Sequence, residues 1–348
     1  MQLVFDGHND VLLRLWRNMK AGGDPVAEFA GGTAGGHIDA PRAKKGGLVG
    51  GLCAIYIPSG DLVLSDPDAD GHYATPLAAP LDYAPSLDIA LEMASIALRL
   101  DRAGAWRLCR SVSEIRKAVE DGVFAAVMHM EGCEAIDADL VNLDVFHAAG
   151  LRSLGPVWSR HNIFGHGVPF AFPMTTDTGP GLTDAGFRLV RECNRLGIAI
   201  DLSHITEKGF WDVANLSTAP LVATHSNVHA LCPSPRNLTP EQLKAIRDSD
   251  GMVGLNFATG FLRPDGQMRP DTEIELMVRQ LDAMIEAVGE TRVALGSDFD
   301  GANIPAGIGS AAGLPVLFEA LEKHGYDQPL MDRIGHGNWL ALLERTID

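Results

Sequence analysis

Residues 198–226 read IAIDLSHITEKGFWDVANLSTAPLVATHS, and this stretch decides the fold. It holds two short apolar runs, 198–202 and 221–223, without polar alternation. That is the pattern of strands covered on both faces. Between them, 207–215 reads as a helix. Strand, helix and strand over about thirty residues make one βαβ unit with parallel strands. Each strand closes on a histidine, His204 in Asp201-Leu202-Ser203-His204 and His225 in Thr224-His225-Ser226. Equivalent ends of neighbouring parallel strands share one rim, so the two imidazoles should be near neighbours there. A single strand-end histidine is more often structural; a matched pair is harder to assign to packing.

The same alternation runs outward in both directions. Further apolar runs at 3–5, 48–57, 124–128, 152–157, 252–257 and 293–295 bring the strands to eight, and helical stretches at 86–108, 140–149, 183–196, 240–248 and 273–288 follow most of them. Thr183 and Thr239 sit where N-caps belong, Pro240 fits a first helical position, and Gly150 and Gly197 stand where helices end. Eight such units predict a closed (β/α)8 TIM-type barrel over 1–348, one domain with its site at the C-terminal ends of the strands. An open doubly wound sheet is the competing arrangement. Two stretches break the alternation. Residues 20–47 are rich in glycine and residues 58–83 in Pro, Asp and Ala. Both follow strands, so they should project over the site, although 20–36 also reads as a disordered surface insertion.

Bulk composition narrows the partners. The 348 residues carry 45 acidic against 28 basic side chains, a net charge of −17. Such a chain repels phosphate backbones, which argues against nucleic acid. Cys53, Cys109, Cys133, Cys193 and Cys232 are odd in number and show no Cys-x-x-Cys spacing, so a disulfide framework or thiolate zinc site is not expected and a reducing compartment is. No apolar run approaches about 20 residues, which argues against a membrane span.

Other strand ends carry further polar groups. After the first run comes Asp6-Gly7-His8-Asn9-Asp10, where His8 and Asp10 point the same way by the period of two. After the third comes His129-Met130-Glu131. A carboxylate emerging from buried sequence needs a partner, and a metal is one; His129 reads as a packed neighbour. After the eighth comes Gly296-Ser297-Asp298-Phe299-Asp300. In a closed barrel Asp298 would face His8 and Asp10, while Asp300 reads as a turn residue. Three imidazoles and three carboxylates exceed what one tetrahedral zinc with an open position needs. They suit two divalent metals about 3.5–4 Å apart, sharing a bridging hydroxide. Glu131, between the two arms in chain order, would bridge, and Asp298 would accept the proton of the attacking water. No Gly-x-Ser-x-Gly elbow, dinucleotide or phosphate-loop motif competes.

Taken together with Pro235-Arg236-Asn237-Leu238, these motifs resemble the membrane (renal) dipeptidase family of zinc peptidases, among the amidohydrolase-like barrels. The pieces fall in the family's order and span nearly the whole chain. The resemblance implies two zinc ions, one held by His8 and Asp10, the other by His204 and His225, with Glu131 bridging. It implies Asp298 as the catalytic aspartate and Arg236 as the contact for the substrate carboxylate. One departure stands out. Where family members carry a histidine after the fourth strand, this chain has Trp158, as a pocket wall, with His161 or His166 as substitutes from the next loop. The implied activity is hydrolysis of small dipeptides, including those with a D-residue at the C-terminal position. Hydrolysis of N-acyl amino acids is the alternative, and manganese or cobalt could replace zinc. The lack of a leader or apolar tail predicts a cytoplasmic, bacterial-type member. Barrels of this size often pair, which leaves room for a homodimer without fixing the oligomeric state.

Overall fold

The computed structural model describes every residue except Thr33, Asp61 and Leu62, so the parts of the two insertions that fall there lie outside the described residues. Eight strands run parallel: β1 Val4–Asn9, β2 Leu48–Tyr56, β3 Ala125–Glu131, β4 Leu151–Gly155, β5 Ala199–Ile200, β6 Val222–Ala223, β7 Met252–Leu255 and β8 Val293–Leu295. β1 to β5 pair in sequence order, with a short strand Arg107–Leu108 added to β3, and β6 to β8 form a second ordered set. Single parallel bridges link the sets. Leu202 N–H donates to Val222 O at 2.8 Å next to the Asp201–Val222 bridge, and Asp10 N–H donates to Phe299 O at 2.8 Å beside the Asn9–Phe299 bridge. The result is an α/β fold around a curled parallel sheet.

The strands are short, apolar and buried, while the helices outside are amphipathic and capped as expected. Thr183 accepts from Gly186 N–H, and Thr239 forms a reciprocal capping box with Gln242 behind Pro240. Gly150 and Gly197 close their helices with positive φ. Inside the curl, Phe5, Leu52, Val127, Val222, Met252 and Ala294 pack with Trp339, whose indole N–H donates to Leu295 O at 2.8 Å. Gly7 leaves room for that ring: a Cβ there would sit 2.2 Å from Trp339 Cζ2.

Several bounds differ from expectation. β1 runs on to Asn9 and β3 to Glu131, because the polar residues there find partners and pairing continues. The helix expected over 86–108 is Tyr83–Arg102. Gly104, at φ 69, turns the chain so that Arg107–Leu108 can join the sheet. The glycine-rich insertion holds two short helices, Pro25–Gly31 and Ala40–Gly46, begun by side-chain caps from Asp24 and Asp39. In the second insertion, Tyr73–Ala74 pairs antiparallel with Ala171–Phe172. No helix among the described residues is long and apolar enough to cross a membrane.

Candidate metal centre

The parallel strands bring six side chains to one end of the sheet. Glu131 Oε1 is their hub: it lies 2.9 Å from His204 Nε2, 3.4 Å from His225 Nε2 and 3.6 Å from His8 Nε2. Asp10 Oδ2 stands 3.4 Å from His8 Nε2, and the His204 and His225 Nε2 atoms are 3.1 Å apart. The His8 and His225 rings stack at 3.8 Å. Two sets of ligand atoms, Glu131–His204–His225 and His8–Asp10–Glu131, each fall within 4.8 Å of one another and share Glu131. A third set joins His8, Asp201 and His225 without Glu131.

These residues fit a divalent cation on their own chemistry. Both His8 nitrogens and Asp10 Oδ1 are buried without a hydrogen-bond partner, a costly arrangement in the absence of a ligand. Burial, then the nearby Arg236 and His8 respectively, pushes His204 and His225 well below the usual imidazole range, so both stay neutral as ligands must. Burial pushes Glu131 well up against the pull of His8. Burial opposes charge on His8 too, but Glu131, Asp10 and Asp298 outweigh it and drive the ring up to about 10. Three carboxylates crowded around imidazoles call for positive charge, which one or two divalent metals meet.

Asp298 faces this cluster from the turn after β8. Its backbone adopts φ 58, held by Asp298 N–H to His8 O at 3.0 Å, and Asn256 Nδ2 donates to its Oδ2 at 3.1 Å. Burial raises its carboxyl, with His8 pulling the other way. The neighbouring Asp300 accepts from His37 N–H at 2.6 Å and from Arg14 Nε at 3.1 Å, and Arg14 also binds Glu28 and Ile38 O. The glycine-rich insertion is thus pinned to the turn that carries Asp298.

A cavity of about 630 Å³ opens above the cluster. Asp10, Glu131, His204 and Asp298 form its polar floor; Tyr56, Trp158, Phe170, Phe261 and Met268 form an apolar wall; Arg17, Gly36 and His37 stand at the rim. Trp158 lies 5.1 Å from Tyr56 and 5.4 Å from Phe170, ring to ring. Arg236 is buried behind Phe261, its guanidinium 5.3 Å from that ring. It is weakly engaged, with Nη2 donating to His225 O at 3.2 Å and Nε without a partner. Burial lowers it to about 10. His161 and His166 stay outside the lining, stacked edge-to-face at 4.6 Å, and His166 Nδ1 meets Gly181 O. His129 is buried against Ser153 Oγ at 2.9 Å, with its ring 5.3 Å from His8.

Sequence reasoning passed over Asn256, Ser159 and the Arg14–Asp300 link. Asn256 had a signal, a polar residue inside the apolar run 252–257. Arg14 and Asp300 lie 286 positions apart and had none.

A curled parallel sheet with histidines and carboxylates converging at its strand ends marks a metal-dependent hydrolase. The chain belongs to the membrane dipeptidase family, peptidase family M19, whose model matches residues 1–347. Members are metallo-dipeptidases, hydrolases acting on peptide bonds. A metallo peptidase from Rhodobacter sphaeroides, solved with a phosphinate mimic of the dipeptide L-Ala-D-Ala, is 52% identical over 99% of this chain and 100% of its own, with a TM-score of 0.94. An uncharacterized protein in the pqqA 5′ region of Klebsiella pneumoniae is 51% identical over 70% of this chain and 90% of its own. The probable dipeptidase PvdM from Pseudomonas aeruginosa, at 23% identity with 99% of this chain and 95% of its own covered, shares the fold with a TM-score of 0.80.

Proposed function

We propose that this chain is a two-zinc dipeptidase that cleaves small dipeptides, including those with a D-residue at the C-terminal position. The observation that carries this is the single oxygen Glu131 Oε1 lying within 3.6 Å of three imidazole nitrogens, the position of a shared ligand. His8 and Asp10 would hold one ion, His204 and His225 the other, and Glu131 both. Bound there, the metals supply Lewis acidity toward a carbonyl and activation of water at neutral pH. The eight parallel strands and the two bridges between their sets support one closed (β/α)8 barrel with this site at its mouth.

The chain's own groups then have defined tasks. Arg236, with its unpartnered Nε, is suited to the α-carboxylate of the substrate. Trp158 closes the apolar wall against a side chain and excludes water. Asp298 accepts the proton of the attacking water through the oxygen that Asn256 leaves free. It returns that proton to the nitrogen as the C–N bond breaks. The ligand carried by the Rhodobacter relative supports an L,D-dipeptide as substrate. Five buried thiols, none in a disulfide, support a reducing compartment, the cytoplasm.

The test is a panel of L-Ala-D-Ala, L-Ala-L-Ala and N-acetyl-D-Ala assayed by release of free D- or L-alanine. Turnover of the dipeptides with little on the acylated amino acid supports the assignment. A preference for N-acetyl-D-Ala would keep the metal site and replace dipeptide hydrolysis with N-acyl amino-acid hydrolysis.

A further inference from the structure

The two histidine arms of the metal site are backed differently, and the directions of the hydrogen bonds reveal how. Asp201, 3% exposed, stands at the end of β5. Its Oδ1 accepts the backbone N–H groups of Ser203 at 3.1 Å and Thr224 at 2.8 Å, and the Ser203 hydroxyl at 2.6 Å. Its Oδ2 accepts the Thr224 hydroxyl at 2.7 Å. Thr224 Oγ1 in turn lies 2.7 Å from His225 Nδ1. A threonine hydroxyl has one proton. Once that proton goes to Asp201, only lone pairs face His225, so Nδ1 carries the ring proton and donates it. Nε2 is left as a bare lone pair directed at Glu131.

We propose that Asp201 and Thr224 are positioning residues for the metal site: a carboxylate–hydroxyl chain that fixes His225 as the Nδ1–H tautomer and so keeps Nε2 open to a divalent cation. This rests on the two-metal reading above. Ser203 closes the arrangement, since its hydroxyl also accepts His225 N–H at 3.1 Å and so fixes the backbone beneath the ring. His129 Nε2, 3.7 Å from Asp201 Oδ2, is beyond hydrogen-bond reach and leaves that oxygen to Thr224. The other arm lacks this control. His204 Nδ1 meets Ser159 Oγ at 2.9 Å, and among the described residues no carboxylate is hydrogen-bonded to that hydroxyl. Partners one layer behind a metal ligand typically change affinity about 10- to 100-fold, so the His225 arm should be the more sensitive to what stands behind it.

The full-length protein and its Thr224→Val, Thr224→Ser and Asp201→Asn variants are compared. Zinc affinity is read by chelator competition, and the His225 tautomer by ¹⁵N NMR of the zinc-free protein. Thr224→Val is expected to weaken zinc binding about 10- to 100-fold, and Thr224→Ser, which keeps the hydroxyl, to stay within about threefold of the parent. Asp201→Asn gives the sharpest outcome. The Oδ1 position must still accept two backbone N–H groups, so the amide nitrogen faces Thr224 and donates. Thr224 then gives its proton to His225 Nδ1, the ring becomes Nε2–H, and zinc binding weakens in an almost isosteric variant. An Nε2–H ring in the parent, or Asp201→Asn with parental tautomer and parental zinc affinity, would overturn the proposal. Should Thr224→Val fail to fold, the Thr224→Ser and Asp201→Asn pair decides alone. A parent that binds no zinc would instead sink the two-metal reading, while the tautomer measurement still judges the relay.

Discussion

Gly301→Ala should separate catalysis from stability. A Cβ at this position would stand 2.1 Å from Asp10 Oδ2 and 2.5 Å from Asp298 Oδ1, against about 3.4 Å for ordinary contact. Both oxygens must therefore retreat by about an ångström. They are the ends of side chains, not backbone, so they can move without unfolding the turn. The backbone of Gly301 is not left-handed, so alanine adds no strain of its own. The stability cost is expected at the low end for overpacking, about 1 kcal/mol. The functional cost should be much larger, because on the proposed mechanism Asp10 would hold a metal and Asp298 would handle the proton. Misplacement of about 1 Å in such groups typically costs on the order of 100-fold. The assay is kcat/KM on L-Ala-D-Ala beside zinc content and thermal unfolding of the same preparation. Expected is a folded protein with turnover down about 100-fold. A Gly301→Ala protein with full turnover and full zinc would refute the placement of Asp10 and Asp298 around this glycine.

Asp298→Asn should keep its metal and its fold but lose about a thousandfold in kcat, the range of a lost acid–base group; a loss of zinc in step with activity would make Asp298 a ligand instead. Arg236→Met should raise KM for dipeptides about 10-fold or more, as expected for a lost charge-assisted contact, with a smaller change in kcat; an unchanged KM would place the substrate carboxylate elsewhere. Arg160 is fully buried with Glu134, Nε to Oε1 3.0 Å, and also donates to Ile57 O and Ser59, so Arg160→Met should destabilise by about 3–5 kcal/mol in denaturant titration. Adding Glu134→Met should recover much of that, and a double variant no better than the single would contradict a stranded-charge origin.

What the sequence disclosed, and what it hid, follows from how far each interaction reaches along the chain. The βαβ unit over 198–226 is local, so its strands, helix and paired histidines could be read directly, and the repeat of that pattern led to the parallel sheet. Thr183 and Thr239 capped as expected because a cap is settled within four residues. Strand ends were harder. β1 and β3 run past the apolar residues that announced them because pairing with β2 and β4 carries polar residues along. The true end of the helix at Arg102 depended on Arg107–Leu108 finding β3, a non-local event. Convergence of the six site residues followed from topology, since each stood at the same end of a parallel strand. Their supports did not: Asn256 behind Asp298, and Arg14 tying Glu28 to Asp300, join parts of the chain that only the fold brings together. The role of the glycine-rich insertion was hidden for the same reason. Gly36 and His37 reach the cavity rim because Asp300, in the turn after the adjoining β8, holds His37.

The measurement that tests the central claim most directly is elemental analysis of the purified protein, before and after dialysis against chelator and after return of zinc, with L-Ala-D-Ala hydrolysis followed in parallel. Expected is about two zinc ions per chain, activity lost with the metal and restored with it. Fewer than about one metal per chain after incubation with zinc, or hydrolysis that survives complete removal of metal, would contradict the account at its base.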